Sequence, residues 1–213
     1  MQSNSITTNF KWHPTADTIW YFKFQNNLND SSWKWNNLSV YATPSYWTYN
    51  WKYYISSGSW YRTSLIWSVV TFNFWFRSTT TSNRILLSVY TNTSYDYNWR
   101  WDIIRLNDNY RIQSMMRWNL WYTWPRSNTW YDDSIWHNAC VVRDWWNTCA
   151  LYVDWVLLDS RSIWTNVPTV LSVKCKDHQS QQWDISELII ENKLWTADEI
   201  LKYYNETKSW FGR

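Results

Sequence analysis

Tryptophan stands in this chain where glycine is ordinarily needed. There are 23 tryptophans and only 2 glycines among 213 residues, whereas an ordinary domain of this length has about 15 glycines. Asn-Gly and Asp-Gly are strong hairpin signals because a type I′ turn needs positive φ at both central residues. Here several tryptophans follow Asn, Asp or Ser in polar segments, namely Trp33, Trp51, Trp99, Trp145 and Trp155. The sequence therefore predicts tight turns at these positions.

A tryptophan in the left-handed conformation costs about 1–2 kcal/mol. Repeated over many turns, this strain would exceed the stability of a domain, which is typically about 5–15 kcal/mol. Some bacterial lineages read the UGA codon as glycine, and reading such a gene with UGA as tryptophan produces this pattern. We therefore interpret most of these tryptophans as glycine positions. The alternative, a membrane-active or carbohydrate-binding tryptophan surface, gives no reason for the preceding Asn, Asp and Ser residues.

Composition and charge exclude several classes of protein. The net charge is only +3 and the basic residues are scattered, so nucleic-acid binding is not expected. No apolar run approaches the roughly 20 residues of a membrane span, and residues 1–10 show no signal peptide pattern. We expect an excerpt of a longer protein or an unusual export route, with residues 1–16 a loosely ordered lead-in and residues 17–213 a single domain.

The cysteines suggest neither a metal site nor a clear disulfide. Cys140, Cys149 and Cys175 form no CxxC pair. With a turn over 144–147, Arg143 faces Thr148 and the first two thiols become diagonal neighbours. Such positions lie about 7–8 Å apart, at the limit of what a disulfide spans. We expect buried thiols that act as small apolar residues.

Short runs of β-branched and aromatic residues, separated by turn signals, predict many antiparallel strands. The predicted strands cover residues 19–24, 38–42, 53–56, 69–77, 84–91, 102–106, 110–116, 136–143, 149–153, 156–160, 170–175 and 185–191. This spacing is typical of a sandwich or barrel. A capping box at Thr196 and Glu199 predicts one helix over about residues 197–206, lying on the sandwich edge.

Three segments carry a family resemblance. Residues 20–37 begin Trp-Tyr-Phe-Lys-Phe and contain Asp-Ser-Ser-Trp-Lys-Trp-Asn, residues 136–155 contain Trp-His and Leu-Tyr-Val-Asp-Trp, and residues 183–200 end in Leu-Trp-Thr-Ala-Asp-Glu-Ile. Together with the aromatic strand 72–76, they resemble concanavalin A-like (laminin G-like) jelly-roll domains over residues 19–208. The resemblance implies an all-β fold, an antiparallel β-sandwich jelly roll of two sheets with one short C-terminal helix.

The resemblance also sorts the tryptophans. Trp75, Trp136 and Trp195 match large apolar positions of the family. A second group matches family glycines, namely Trp33, Trp35, Trp145, Trp146, Trp155 and Trp183.

Catalysis is not expected. Glucanases of this superfamily carry Glu-x-Asp-x-x-Glu along one strand, and this motif is absent. A retaining mechanism needs two carboxylates about 5–5.5 Å apart. On a regular strand, Asp184 and Glu187 would face opposite ways, as would the adjacent Asp132 and Asp133. His137 is expected to pack or form hydrogen bonds rather than bind a ligand.

A glycan site requires aromatic surfaces with a few amide, carboxylate or guanidinium groups. The best candidates lie between residues 90 and 117, with Arg105 and Arg111 expected to share a sheet face with Gln113. The candidate ligand-binding residues are Tyr95, Asp96, Tyr97, Asn98, Arg105, Tyr110, Arg111 and Gln113. The alternative is that these residues merely coat an antiparallel sheet.

Calcium is the one cofactor that the resemblance suggests, with Asp30 and Asp184 as candidate oxygen ligands. For Asp30 an Asx turn that binds its own backbone is the preferred interpretation. We expect a non-catalytic, lectin-like module of a larger secreted, surface or virion protein, located outside the cell or at its surface and recognising a glycan or a surface protein. The alternatives are a purely structural sandwich and, less favoured, a glycoside hydrolase.

Overall fold

The computed structural model describes residues 14–40, 45–56, 61–64, 69–78, 84–90, 100–106, 111–116, 125–144, 148–162, 170–173 and 183–213. Fifteen strands lie within these ranges: β1 Thr18–Phe22, β2 Ser39–Val40, β3 Ser45–Tyr49, β4 Lys52–Ser56, β5 Tyr61–Ser64, β6 Val69–Ser78, β7 Arg84–Tyr90, β8 Arg100–Leu106, β9 Arg111–Met116, β10 Arg126–Trp130, β11 Trp136–Asp144, β12 Thr148–Val153, β13 Val156–Ser162, β14 Val170–Val173 and β15 Trp183–Glu191. Helix α1 spans Ala197–Thr207 and continues into a 3-10 turn over Lys208–Phe211.

The strands form two antiparallel sheets. Sheet 1 has the order β13-β12-β11-β6-β15-β4-β3, with β1 also paired to β15, and sheet 2 has the order β10-β9-β8-β7-β14-β5-β2. Buried residues from both sheets form one core, because Phe74 on β6 belongs to the same apolar cluster as Leu87 on β7 and Ile112 on β9. The predicted β-sandwich is confirmed.

Strand β6 is buried on both sides. Alternate residues Phe72, Phe74 and Phe76 belong to the core between the sheets. Trp75 belongs to a second cluster on the outer side of sheet 1, where it meets residues of α1. Because successive strand residues face opposite sides, an apolar residue at every position from Phe74 to Phe76 is what a strand between two packed layers requires.

The capping box forms as predicted. Glu199 N donates to Thr196 Oγ1 over 3.3 Å, and Thr196 N donates to the Glu199 carboxylate over 2.9 Å. The predicted position of the helix at the sandwich edge is wrong. Trp75, on central strand β6, stacks on Tyr204 at 5.8 Å and on Phe211 at 4.4 Å between ring centroids. The helical segment covers the outer face of sheet 1, because that face is apolar there.

The prediction that Asp184 and Glu187 face opposite ways is wrong as well. The register of β15 against β6 shifts between Ser186 and Ile189, and Glu187 has φ 50°. A β-bulge adds one residue and breaks the two-residue alternation. Both carboxylates consequently contact cations outside the core between the sheets, Arg77 for Asp184 and Lys52 for Glu187.

The cysteine register also differs from the prediction. Arg143 pairs with Cys149, and Cys140 pairs with Tyr152, one residue away from the predicted alignment. Cys140 belongs to the outer cluster and Cys149 to the core between the sheets, so the two thiols lie on opposite faces of sheet 1. Both are buried and free, as expected, whereas Cys175 lies outside the described residues.

Two hairpins turn at Asn or Asp followed by tryptophan. Asn50 and Trp51 join β3 to β4 with φ 43° and 62°, and Asp154 and Trp155 join β12 to β13 with φ 47° and 64°. Positive φ at both central residues is the type I′ pattern. Trp35 likewise has φ 57°. Three tryptophans therefore occupy the backbone region that favours glycine.

Burial separates the tryptophans as the resemblance implies. Trp75 is 0 % exposed, and Trp136 and Trp195 are also buried, whereas Trp51 is 66 % and Trp155 46 % exposed. Two further members of the glycine group, Trp33 and Trp35, are exposed. Trp183 begins β15, and Trp145 and Trp146 lie outside the described residues. Trp20, which belongs to neither group, is buried in the core.

Replacing Trp155 with glycine should stabilise the protein by about 1 kcal/mol. The left-handed strain of about 1–2 kcal/mol disappears, and the backbone entropy of glycine offsets roughly 0.5–1 kcal/mol of it. The free energy of unfolding in urea measures the effect. Trp155→Ala is the matched control, because it removes the exposed ring but keeps the strained Cβ. Equal stability of the two variants would contradict the interpretation.

Candidate functional site

The described part of the predicted glycan site lies on strands β8 to β10 of sheet 2. Arg105 is paired with Gln113, and Gln113 is paired in turn with Arg126. Arg111 comes two residues before Gln113 and is paired with Trp130. The backbone register therefore places position 113 between positions 105 and 126, with position 111 two residues along the same strand. The binding role of Arg105, Arg111 and Gln113 stays a prediction.

Tyr95, Asp96, Tyr97, Asn98 and Tyr110 lie outside the described residues. Their part in the site stays a prediction.

Gln113 points away from the core. It is half-buried, whereas its neighbours Ile112 and Ser114 are fully buried, so strand alternation turns Gln113 to the outer surface. Arg126 and Trp130 on the adjacent strand are exposed. We call the paired backbone positions of Arg105, Gln113 and Arg126, flanked by Trp130, the sheet 2 row. Arg126, Gln113 and Trp130 supply it with the guanidinium, amide and aromatic groups that polar ligands need. Sequence reasoning missed Arg126 and Trp130, because β10 is a polar strand without a clear apolar alternation.

Asp30 organises the loop that follows β1. Its carboxylate accepts hydrogen bonds from the backbone N–H groups of Tyr21 at 3.0 Å, Ser32 at 2.8 Å and Asn36 at 3.0 Å. The Ser32 hydroxyl donates to it at 2.6 Å. This is the Asx-turn role preferred from the sequence. The loop carrying Trp35 is thereby tied to β1.

Asp184 binds a guanidinium. Arg77 Nε and Nη2 donate to Asp184 Oδ2 over 2.8 and 2.5 Å. Within the described ranges, no group of three or more His, Cys, Asp or Glu side chains is placed to hold a metal ion. The contacts of Asp30 and Asp184 involve different partners, and calcium binding by these two residues stays a prediction.

Three aromatic rings surround Arg77. Its guanidinium carbon lies 5.2 Å from the ring centroids of both Tyr54 and Trp136 and 5.7 Å from that of Tyr49. Arg77 Nη2 also donates to the Tyr54 hydroxyl over 3.3 Å. Cations within about 6 Å of a ring centroid are attracted to its face. The aromatic rings and Asp184 therefore hold the guanidinium in one orientation.

Glu187 is buried in a separate ionic contact. Its carboxylate pairs with Lys52 Nζ at 2.8 Å and accepts a hydrogen bond from the Tyr21 hydroxyl. Burial, and then the charge of Glu187, raise the pKa of Tyr21 well above its usual value. Asp184 and Glu187 are thus each paired with their own cation. This pairing favours a structural role for both carboxylates over the acid and nucleophile of a glycosidase.

His137 lies between two carboxylates. Its Nδ1 is 2.8 Å from Asp154 Oδ2, and its Nε2 is 3.2 Å from Asp133 Oδ1. Arg213 Nη2 donates to the same Asp154 oxygen over 2.9 Å. The ring of Tyr131 meets the imidazole edge to face, with 4.9 Å between centroids. His137 is therefore a packed, hydrogen-bonded residue, as predicted, and it links the 131–135 loop to the β12–β13 turn.

Comparisons with known proteins show the fold alone. No family model matches the chain, and no curated protein matches it. A mutant of HCR/D has a TM-score of 0.71 at 14 % identity, covering 92 % of this chain and 54 % of that one. The binding domain of botulinum neurotoxin DC in complex with SialylT has a TM-score of 0.67 at 13 % identity, covering 89 % and 51 %.

The same neurotoxin DC domain in complex with rat synaptotagmin II has a TM-score of 0.66 at 13 % identity, again covering 89 % and 51 %. The chain thus spans about half the length of these solved structures. In the described part of the chain, helix α1 is too short and too polar to cross a bilayer.

Tyr131 should make stability fall steeply at alkaline pH. Burial, followed by the charges of Asp154 and Asp133, raises the pKa of Tyr131 to about 12 from 10.0. The folded protein holds this proton more tightly than the unfolded chain, so the stabilisation is complete below about pH 10 and is lost as the pH rises to about 12. Urea unfolding of the wild type and Tyr131→Phe measures the effect. The difference in unfolding free energy should stay constant below pH 10 and shift in favour of the variant above it. Parallel curves throughout would contradict the assignment.

Proposed function

We propose that this chain is a non-catalytic, lectin-like recognition module of the laminin G-like type within a larger secreted, surface or virion protein. It binds a glycan or a surface protein and acts outside the cell or at its surface. The observation that carries the proposal is the sheet 2 row, in which Arg105, Gln113 and Arg126 are aligned across three strands beside exposed Trp130.

The sheet 2 row suits recognition of a polar ligand. Guanidinium and amide groups donate and accept several hydrogen bonds, and an exposed aromatic ring offers a flat apolar surface. The predicted residues Tyr95, Asp96, Tyr97 and Asn98 precede β8 in the sequence, Tyr110 precedes β9, and Arg111 begins β9. We propose that they extend this surface. The solved structures of similar fold include domains named for binding, with SialylT or synaptotagmin II as partners.

Two alternatives are less favoured. A glycoside hydrolase needs two cooperating carboxylates, and the two acids of β15 that were considered for this role, Asp184 and Glu187, are each paired with a cation. A purely structural sandwich gives no reason for an exposed aromatic ring beside an aligned basic row.

Glycan-array binding of the full chain tests the proposal. Gln113→Ala and Arg126→Ala should each weaken binding about tenfold, which corresponds to the loss of about 1.4 kcal/mol. Thr48→Ala, an exposed residue on edge strand β3 of the other sheet, is the matched control and should bind as the wild type does. Absence of binding to every glycan and to intact host cells would overturn the proposal.

We also propose that Trp35, Trp51 and Trp155 are glycines in the natural protein, encoded by UGA. Their left-handed φ values and exposure support this assignment. The codons of the source gene test it, with UGA expected at these three positions and UGG at Trp75, Trp136 and Trp195. UGG at positions 51 and 155 would refute it.

Calcium remains part of the proposal, with Asp30 and Asp184 as candidate ligands. Binding at Asp30 would have to replace hydrogen bonds that its carboxylate already accepts. Added calcium should raise the melting temperature of the wild type, since a ligand stabilises the state that binds it. This gain should be lost in Asp30→Asn. An unchanged melting temperature in the wild type would argue against the ion.

A further inference from the structure

A second polar and aromatic surface lies on sheet 1, away from the sheet 2 row. We call it the Arg77 patch, and it consists of Tyr49, Tyr54, Arg77, Trp136 and Asp184. The C-terminal helical segment covers sheet 1 at Trp75. Arg77, near the end of β6, is instead partly open to solvent, with its side chain 23 % exposed and that of Asp184 14 % exposed.

The ion pair in this patch leaves two polar groups available. Both hydrogen bonds from Arg77 to Asp184 end on Oδ2. Among the described residues, Asp184 Oδ1 and Arg77 Nη1 have no hydrogen-bond partner. One ion pair therefore holds both an acceptor oxygen and a donor nitrogen. Its two hydrogen bonds fix the guanidinium against the carboxylate.

The aromatic rings complete the arrangement. Tyr49 and Tyr54 are half-buried, and Tyr54 packs edge to face on Trp136 with 5.4 Å between ring centroids. Because Trp136 is buried, the two tyrosines form the accessible part of the apolar lining. Sites for small ligands usually have an apolar or aromatic lining with a small number of polar groups.

We propose that the Arg77 patch binds a neutral saccharide. Hydroxyls of a saccharide can donate to Asp184 Oδ1 and accept from Arg77 Nη1, while the apolar face of a sugar ring packs on Tyr49 and Tyr54. An anionic sugar is disfavoured, because its charge would lie beside the Asp184 carboxylate. The Arg77 patch is a second site, separate from the sheet 2 row. It rests on the proposed function only in that both assign the chain a role in recognition.

A purely structural role for the ion pair is the competing explanation. Arg77 and Asp184 are directly paired across β6 and β15, so their contact also holds these strands together. Binding, unlike stability, separates the two explanations. Tyr49→Ala removes part of the lining but keeps both side chains of the ion pair, and Asp184→Asn keeps the shape of the side chain but removes its charge.

Affinity electrophoresis in native gels containing soluble β-glucan, galactan or mannan tests the proposal on the full chain. At least one of these neutral polysaccharides should retard the wild type. Tyr49→Ala and Asp184→Asn should each weaken retardation about tenfold, while Ser162→Ala, an exposed residue on edge strand β13, should leave it unchanged. Gln113→Ala on sheet 2 is measured alongside them. Melting temperatures establish that each variant is folded, and Tyr49→Ala decides the outcome if Asp184→Asn is unstable.

Two results would overturn the Arg77 patch as a sugar site. One is retardation of the wild type that persists in Tyr49→Ala and Asp184→Asn but is lost in Gln113→Ala, which leaves the proposed function intact and assigns it to sheet 2. The other is a wild type that none of the three polysaccharides retards. In that case binding to sialylated glycans or intact cells decides the proposed function separately.

Discussion

The left-handed turns at Asn50–Trp51 and Asp154–Trp155 are the constraint on which the hairpins of sheet 1 depend. Each turn fixes the register of the strands it joins, pairing Tyr49 with Lys52 and Val153 with Val156. A shift of one residue would move every side chain of a strand to the other face. Residues that tolerate positive φ at these turns therefore decide which side chains reach the core and which reach the surface.

Strand β6 connects that constraint to the two surfaces of the molecule. Its inner residues, such as Phe74, pack in the core shared with sheet 2, which carries the sheet 2 row. Its outer residues Trp75 and Arg77 are two positions apart on the same side of sheet 1 but differ in their surroundings. Trp75 is covered by the C-terminal helical segment, whereas Arg77 remains partly open. On this strand, the region at Trp75 therefore packs against the helical segment, and the region at Arg77 is a candidate binding surface.

Local patterns in the sequence predicted much of this fold. Helix α1 was predictable because its capping box is contiguous, and β6 because its apolar residues are. Strands β3, β5 and β10 were missed, since β3 and β10 are largely exposed and show no clear alternation of apolar and polar residues. The sequence around Glu187 does not indicate the bulge. The groups that bind the Glu187 carboxylate, Lys52 and Tyr21, are distant from it in the sequence. The Arg77 patch unites residues from β3, β4, β6, β11 and β15, so only the folded chain reveals it.

Mass spectrometry of the protein purified from its natural source tests the central claim directly, because it identifies the residues at the two turns without reference to the genetic code. Peptides spanning positions 51 and 155 should contain glycine there, while peptides spanning positions 75, 136 and 195 should contain tryptophan. Tryptophan at both turn positions would contradict the claim that these bends are built for a residue without a side chain.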